Sequence, residues 1–515
     1  MPGRAKKILW LLLAVALLAA VVPLQREMNR DRNRLGLTRQ EPLENTPPVL
    51  AFTTVALGGF RGLIANALWI RMSELQDEDK FFEMQQLADW ITKLEPHYTQ
   101  VWLVQGWNMA YNISVKFKET APGEFPDRWR WVRGGIRLLR DDGLRYNPHD
   151  VLIHRELAWF FQHKMGQNLD DANMYYKHHW AMEMSRVFGG EKPNFDELIN
   201  PQTEEARQRV QALTNDFKMD PAFIKHVHER YGPLEWRLPE AHAIYWAAKG
   251  LQMAKNYPEK VKQEDLVQLR RVIFQSMQAS FRHGRLVTRS LTNGISFGPN
   301  LDIIPTVNRS YEEAIEQTPE MRENIMSAHR NLIRDAVYFL YTGNRVADAA
   351  DWFRYLGQKY PNKTLIDGKT NSWPRNTTLQ EFALSRVMED VGETSQERVQ
   401  GHLEGFVGSA YLAAIRGDVG LYEGYRQMAR DLWARFMKEI GDAGAVRVGL
   451  PPLAETEQKV LGRMLDPKEG LPPEMRAILR TELRLPPEAE ATNAPPPTAA
   501  SPAPAGTNSP ATTNR

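Results

Sequence analysis

Five histidines fall in one short stretch of the chain, and the imidazole nitrogen is the commonest metal ligand in proteins. They are His149, His154, His163, His178 and His179. A metal pair on a helix places its two ligands four residues apart on one face, and no two of these histidines have that spacing. The pattern therefore favours packing or surface roles, and no metal ligand is predicted. A metal-dependent hydrolase with its site in a helical groove stays open as an alternative.

Adjacent acidic residues are the second candidate for chemistry, since paired carboxylates can act as general acid and base. Glu78-Asp79, Asp141-Asp142 and Asp170-Asp171 each lie near a predicted helix start or turn. Carboxylates at such positions cap backbone N–H groups and complement the helix dipole. The chain also has no phosphate-binding glycine loop, no Gly-x-Ser-x-Gly elbow and no His-Glu-x-x-His pair. We therefore expect no catalytic residues and no cofactor.

Composition narrows the classes of partner. The 515 residues include no cysteine, which excludes disulfides, thiolate zinc sites and a catalytic thiol. Lys and Arg number 65 against 63 Asp and Glu, so the formal net charge is only +2 and no overall field attracts nucleic acid. Apolar residues make up 42% of the chain, which is ample for a core. These counts indicate a largely globular chain without a nucleic-acid partner.

Helices are the elements that would position these residues. Apolar residues recur at intervals of three and four from Phe81 to Leu94, and Pro96 cannot continue that helix. A second helix restarts at Trp102. About fifty residues later the same order returns, with Tyr146-Asn147-Pro148 closing one helix and Val151 opening the next. A unit that cannot bury its apolar face alone is used more than once, which predicts stacked helix pairs.

This pattern resembles the tetratricopeptide repeat family, in which a large, a small and an aromatic residue mark the first helix and a proline closes the second. Trp102 and Gly106 match first-helix positions, and Pro96 and Pro148 match the closing proline. A further unit reproduces most of the second-helix pattern at Gly343, Ala349, Phe353, Leu356 and Pro361. The resemblance implies an all-α solenoid of helix pairs.

In that family the first helices line a concave groove that holds an extended peptide or a partner helix, and the resemblance implies such a groove here. Projecting it onto the two best-matching first helices gives six residues: Trp107, Tyr111, Arg155, Trp159, Gln162 and His163. Aromatic residues with an arginine are the types that carry most binding energy at protein interfaces. The groove therefore predicts a protein or peptide partner. The alternative is that Trp107 and Trp159 simply pack between repeats.

The N-terminus predicts attachment to a membrane. Arg4, Lys6 and Lys7 precede an apolar run over residues 8–24, which as a helix spans roughly 25 Å, close to the hydrocarbon core of a bilayer. A cleaved signal peptide is the rival interpretation, but Val21-Val22-Pro23 after Ala20 makes a poor cleavage site. The short basic tail favours a single-pass protein with its bulk outside the cytoplasm. A body on the cytoplasmic face is the alternative, because arginines also follow the run.

A second apolar stretch, residues 49–72, is interpreted as the buried first helix of the folded body. Arg61, Asn66 and three glycines near its centre would be costly in lipid, which disfavours a second span.

Beyond Pro486 the chain is Pro-, Ala-, Thr- and Ser-rich with no large apolar residue, so it is predicted to be disordered.

The predicted organisation follows from these features. The fold class is all-α, a tetratricopeptide-like helix-pair solenoid with one N-terminal transmembrane helix and a disordered C-terminal tail. The expected function is a non-enzymatic scaffold in a cell-envelope assembly, with an accessory subunit of a membrane complex as a further alternative. The predicted segments are a basic tail 1–7, anchor 8–24, tether 25–48, N-terminal repeats 49–190, a middle helical region with inserted loops 191–305, C-terminal repeats 306–445, short helices 446–485 and the tail 486–515.

Overall fold

The computed structural model describes residues 60–486, apart from 191, 259–260, 288–294, 318, 392–395, 449 and 468–469, together with a few residues between 23 and 31. It is 75% helix and 2% strand, which confirms the all-α class. The basic tail, nearly all of the predicted anchor and tether, and residues 487–515 of the tail lie outside the described residues. None of the helices in the described ranges combines the length and apolar character that crossing a bilayer requires.

The chain divides into two compact units, residues 1–307 and 308–515. From residue 60 onwards, the described part of the first unit begins with five helices. The helix predicted from Phe81 to Leu94 is present with those bounds. The five helices are α1 (Phe60–Asp77), α2 (Phe81–Leu94), α3 (Thr99–Trp107), α4 (Pro126–Arg137) and α5 (Val151–Trp159).

Helices α3, α4 and α5 do not stop at these bounds but widen without a break into π-helical turns, Asn108–Ile113, Leu138–Gly143 and Phe160–Gly166. A π-helical turn closes its hydrogen bonds at i→i+5 and accommodates one more residue than an α-turn. The 3.6-residue apolar pattern of the sequence did not predict these turns. They matter for the candidate site because Tyr111 and His163 both lie in them.

The first unit continues with further helices. Helix α10 is the centre of its core, since 12 of its residues are buried and it packs against both α5 and α11. Helices α10 and α11 lie in the middle helical region that was predicted over residues 191–305 and pack on each other. These helices are α6 (Asn173–Phe188), α7 (Phe195–Ile199), α8 (Glu204–Gln211), α9 (Pro221–Tyr231), α10 (Pro239–Asn256) and α11 (Gln263–His283).

The middle region, which was predicted to be helical with inserted loops, also contains a short pair of strands that the sequence pattern did not indicate. Strand β2 (Phe297–Gly298) pairs antiparallel with β1 (Arg285–Leu286), and a 3₁₀ turn, Leu301–Ile303, follows. Leu286 lies in an apolar cluster with Leu238, against which Ile295 and Phe297 pack. The segment therefore packs on the helices of the first unit.

Helix α1 differs in part from its predicted burial. Ala65, Met72 and Leu75 on one face are buried against α2, as expected for a helix of the folded body. Leu63 and Ile70 on the opposite face are 66% and 63% exposed. The prediction of a buried helix therefore holds for one side only.

The second unit is also helical. Its core is a cluster that includes Ile333, Val337, Leu356 and Phe382. The helix pair predicted around Gly343 is present, because α13 ends at Thr342 and α14 begins at Val346. The helices are α12 (Ile304–Gln317), in which the division between units falls, α13 (Arg322–Thr342), α14 (Val346–Lys359), α15 (Leu379–Val391), α16 (Gln396–Ile415), α17 (Val419–Val448), α18 (Leu453–Leu465) and α19 (Pro473–Glu482).

Candidate functional site

The two loops that open α3 and α5 are tied to each other, which fixes the relative position of the two helices. The Pro96 carbonyl accepts hydrogen bonds from the Trp102 indole at 2.8 Å and from the Asn147 amide at 2.9 Å. Asp150 accepts from the Leu152 and Ile153 backbone N–H groups, so it caps α5, and its other oxygen accepts from Thr99 at 2.5 Å. The repeated prolines of the sequence thus mark equivalent, interlocked helix starts.

Equivalent positions on the two helices lie 52 residues apart and carry the aromatic residues of the predicted groove. Trp107 stacks on Tyr111 at a centroid distance of 4.1 Å, and Trp159 stacks on His163 at 4.5 Å. Tyr111 Oη lies 3.2 Å from His163 Nδ1 and joins the two pairs. We call the four side chains Trp107, Tyr111, His163 and Trp159 the aromatic row.

The aromatic row is electrostatically neutral and partly open to solvent. Trp107 is 41% exposed, while Tyr111, Trp159 and His163 are half-buried. Burial, assisted by the adjacent Lys164 ammonium, lowers the pKa of His163 and so favours its uncharged imidazole. Burial also raises the pKa of the Tyr111 phenol, with a smaller contribution from the Glu156 carboxylate. A neutral, aromatic, half-open surface of this kind is suited to binding another protein.

The other two predicted groove residues face helix α11. Arg155 donates to Asp265 at 2.7 Å, and its side chain is 30% exposed. Gln162 is only 6% exposed and donates to the Gln275 side chain at 3.1 Å and the Val272 carbonyl at 3.4 Å. Arg155 therefore lies at the edge of the row, and Gln162 joins α5 to α11 beneath it. A binding role for the six residues stays a prediction.

A cavity of about 280 Å³ opens beside the aromatic row, in the space that α3 and α5 enclose with α1 and α2. Its apolar lining includes Met84, Leu103, Val104, Trp107 and Leu152, and its polar lining is Gln76, Gln100, Asn112, Arg155 and Glu156. Burial raises the pKa of Glu156 to about 7, an effect that the Arg155 guanidinium partly offsets. Sequence analysis missed Glu156, which no motif distinguishes from a surface glutamate.

The acidic pairs considered as catalytic candidates have structural contacts. Asp170 accepts from the Ala172 backbone N–H at 2.9 Å and pairs with the Lys164 ammonium at 2.5 Å and with Arg128 at 3.1 Å. Asp141 pairs with Arg140 at 2.7 Å, and Glu78 with Lys80 at 2.7 Å. These carboxylates hold loops and helix ends in place rather than converging on a common cavity.

The histidine stretch is similarly dispersed. His154 is 2% exposed and its Nδ1 lies 2.7 Å from the Asp150 carbonyl, so the ring is fixed inside the core. His149 stacks on Tyr257 at 4.1 Å, and His178 and His179 contact each other at 5.8 Å between ring centroids. Within the described ranges no three histidine or acidic residues are grouped so that they could hold a metal ion.

Comparison with known proteins gives no further guide to the site. The chain matches no protein-family profile, no curated protein and no solved structure.

Proposed function

We propose that this protein is a membrane-anchored helical-repeat scaffold that binds a protein partner along the row of its first helices. The observation that carries the proposal is the continuous aromatic row on α3 and α5, whose members come from equivalent positions of two helices. Large aromatic side chains next to an arginine, partly exposed and supported from below, are typical of interface hot spots. The proposal assigns the row to binding and no residue to catalysis.

The packing of neighbouring helices supports a tetratricopeptide-like solenoid as the form of this scaffold. First helices α3 and α5 pack directly on each other, and α5 in turn contacts α11 through Arg155 and Gln162. Each unit of a solenoid contacts only its neighbours and presents a row of equivalent faces to a partner. The partner that we propose is an extended segment or a helix, since either can lie along a row of equivalent faces.

The test begins with identification of the partner. Crosslinking of the full-length protein in its native membranes, followed by mass spectrometry, identifies the neighbour, which is then purified for binding measurements. The double variant R155A/W159A should bind it at least about tenfold more weakly, because two hot-spot side chains are lost. Circular dichroism of the variant checks that the helices are retained.

The matched control is W90A/R130A. Trp90 is 47% exposed on α2 and the Arg130 side chain is 71% exposed on α4, and neither contributes to the aromatic row. The control should bind as tightly as the unaltered protein. Unchanged binding by R155A/W159A would remove the row from the site and with it the proposed function.

A further inference from the structure

Glu156 is a carboxyl group in the wall of the cavity, and its side chain makes no ion pair or hydrogen bond with any described residue. It lies in the second turn of α5 and is half-buried. Across the described part of the chain no hydrogen bond or ion pair reaches its side chain. The adjacent guanidinium of Arg155 is already paired with Asp265 at 2.7 Å. The cavity therefore contains one paired cation and one carboxyl group that has no hydrogen-bond or ion-pair partner among the described residues.

An unpaired carboxylate in this position lowers stability, because a charge removed from water needs hydrogen bonds or an opposite charge. The raised pKa of Glu156 is the same effect expressed as proton affinity. A cation placed in the cavity would hold the carboxylate ionised and remove the penalty. The free energy gained on binding would then favour a cationic ligand over a neutral one of the same shape.

The cavity walls specify what else that ligand carries. Leu103, Val104 and Leu152 form an apolar lining suited to a methylene chain. Trp107, stacked on Tyr111, lines the same cavity as Glu156, and an aromatic ring attracts a cation placed over its face. At about 280 Å³ the cavity lies just below the usual range for drug-sized ligands, which favours a single side chain over a cofactor.

We propose that this cavity receives a lysine or arginine side chain of the protein partner, whose charged group pairs with Glu156 while its stem lies between Trp107 and the apolar lining. The inference rests on the proposed function, since it names the side chain that the partner inserts beside the aromatic row. Charge complementarity favours this occupant. A basic side chain has a cation that can pair with Glu156 and an apolar stem that can contact the apolar lining.

The test is a double-mutant cycle with peptides. A random peptide library displayed on phage is selected against the full-length protein in detergent micelles, and the enriched peptides are synthesised. We expect a Lys or Arg at one fixed position. Its replacement by norleucine, which keeps the stem and removes the charge, should weaken binding to the unaltered protein about tenfold or more. With E156Q the same replacement should change binding less than about twofold.

E229Q is the control, because Glu229 is an exposed carboxylate of the same unit and does not line the cavity. It should give the same peptides and the same norleucine effect as the unaltered protein. The peptide replacement requires no change in the protein, so a norleucine effect below about twofold on the unaltered protein would overturn the cavity assignment even if E156Q folds poorly.

The possible failures are distinguishable. Peptides that lose affinity for R155A/W159A but carry no basic position, or that lose equally on norleucine replacement with and without Glu156, would overturn the cavity assignment and leave the proposed function standing. Selection of no peptide sensitive to R155A/W159A would overturn both.

Discussion

His329 has a hydrogen-bond partner on each ring nitrogen, although no sequence motif distinguishes it. It is fully buried in the second unit, with Nε2 2.7 Å from Asn308 Oδ1 and Nδ1 2.8 Å from Tyr360 Oη. Because a carboxamide oxygen only accepts, Nε2 carries the hydrogen and Nδ1 accepts from the tyrosine hydroxyl. Tyr311 stacks on the ring at 5.4 Å. The hydrogen bonds are satisfied by a neutral imidazole, and complete burial favours that form over the charged one.

Burial of a neutral imidazole predicts an acid-sensitive second unit. Burial, with a smaller effect of Lys359, lowers the pKa of His329 from 6.5 to about 4. Between these values the unfolded chain binds a proton that the folded chain does not, so the free energy of unfolding falls as the pH drops from 6.5 towards 4. At pH 5 the His329 contribution is a loss of about 2 kcal/mol.

The measurement is urea unfolding of the unaltered protein and of H329Q at pH 7.5 and pH 5. H329Q cannot take up the proton, so acidification should cost it about 2 kcal/mol less than it costs the unaltered protein, although H329Q is less stable at pH 7.5. H226Q, which removes an exposed imidazole, should follow the unaltered protein. Equal acid losses in H329Q and the unaltered protein would contradict the prediction.

For single residues, the sequence predicted those whose contacts come from equivalent positions of a repeat. It missed residues whose contacts come from unrelated parts of the chain. Trp107 and Trp159 follow the repeated prolines at the same distance, so a single projection indicated both, together with Tyr111 and His163. His329 takes its partners 21 and 31 residues away, one from helix α12 and one from the residue that follows helix α14. Glu156 is distinguished by burial without an ion pair or hydrogen bond among the described residues. Neither relation is visible in a local pattern.

Among the elements, α3 and α4 cross with unusually close backbones. A Cβ added at Gly135 would lie 2.9 Å from the Gly106 carbonyl oxygen, and one at Gly106 would lie 3.0 Å from the Leu139 side chain. A Cβ at the neighbouring Gly134 would meet only the Met109 terminal methyl, at 2.7 Å. A flexible methionine end can move aside, whereas a helix backbone cannot without a shift of the whole element.

G135A should therefore destabilise the first unit by about 1–3 kcal/mol, because overpacking against a backbone outweighs the gain in helix propensity. G134A is the matched control on the same helix. It should be neutral or more stable by up to about 1 kcal/mol, since alanine favours the helix and Met109 can move. Urea unfolding followed by tryptophan fluorescence compares the two. Similar stabilities for both variants would show that the crossing tolerates a side chain.

Among the features of the helices, the first and last residues were the easiest to predict from the sequence. The π-helical turns at the ends of helices were the hardest. Period and proline were enough for α2, whose predicted bounds match the structure. The π-helical turns after α3 and α5 involve one additional residue per turn, so a 3.6-residue pattern continues through them without a signal. They place Tyr111 and His163 within contact of each other, which the projection of the groove could not specify.

For the molecule as a whole, composition and periodicity were sufficient for the all-α class but not for the path of the chain. Helices α5 and α10 pack directly on each other, although helices α6 to α9 separate them in the sequence. Such an insertion breaks the constant spacing from which a repeat is recognised in sequence. The chemical character of the proposed partner could not be predicted from the sequence either. A neutral aromatic row is compatible with many ligands until the charge of the adjoining cavity is known.

The remaining whole-molecule prediction concerns the membrane, and the absence of cysteine from the sequence makes it directly testable. If residues 8–24 span the bilayer with the basic tail inside, a cysteine at Asn45 in the tether is the only thiol of the chain and faces outward. N45C should then react with a membrane-impermeant maleimide on intact cells. G3C, ahead of the span, should react only after permeabilisation, because the bilayer protects the short basic tail. The reverse pattern would place the body on the cytoplasmic side, and labelling of both variants on intact cells would contradict an anchor with an internal N-terminus.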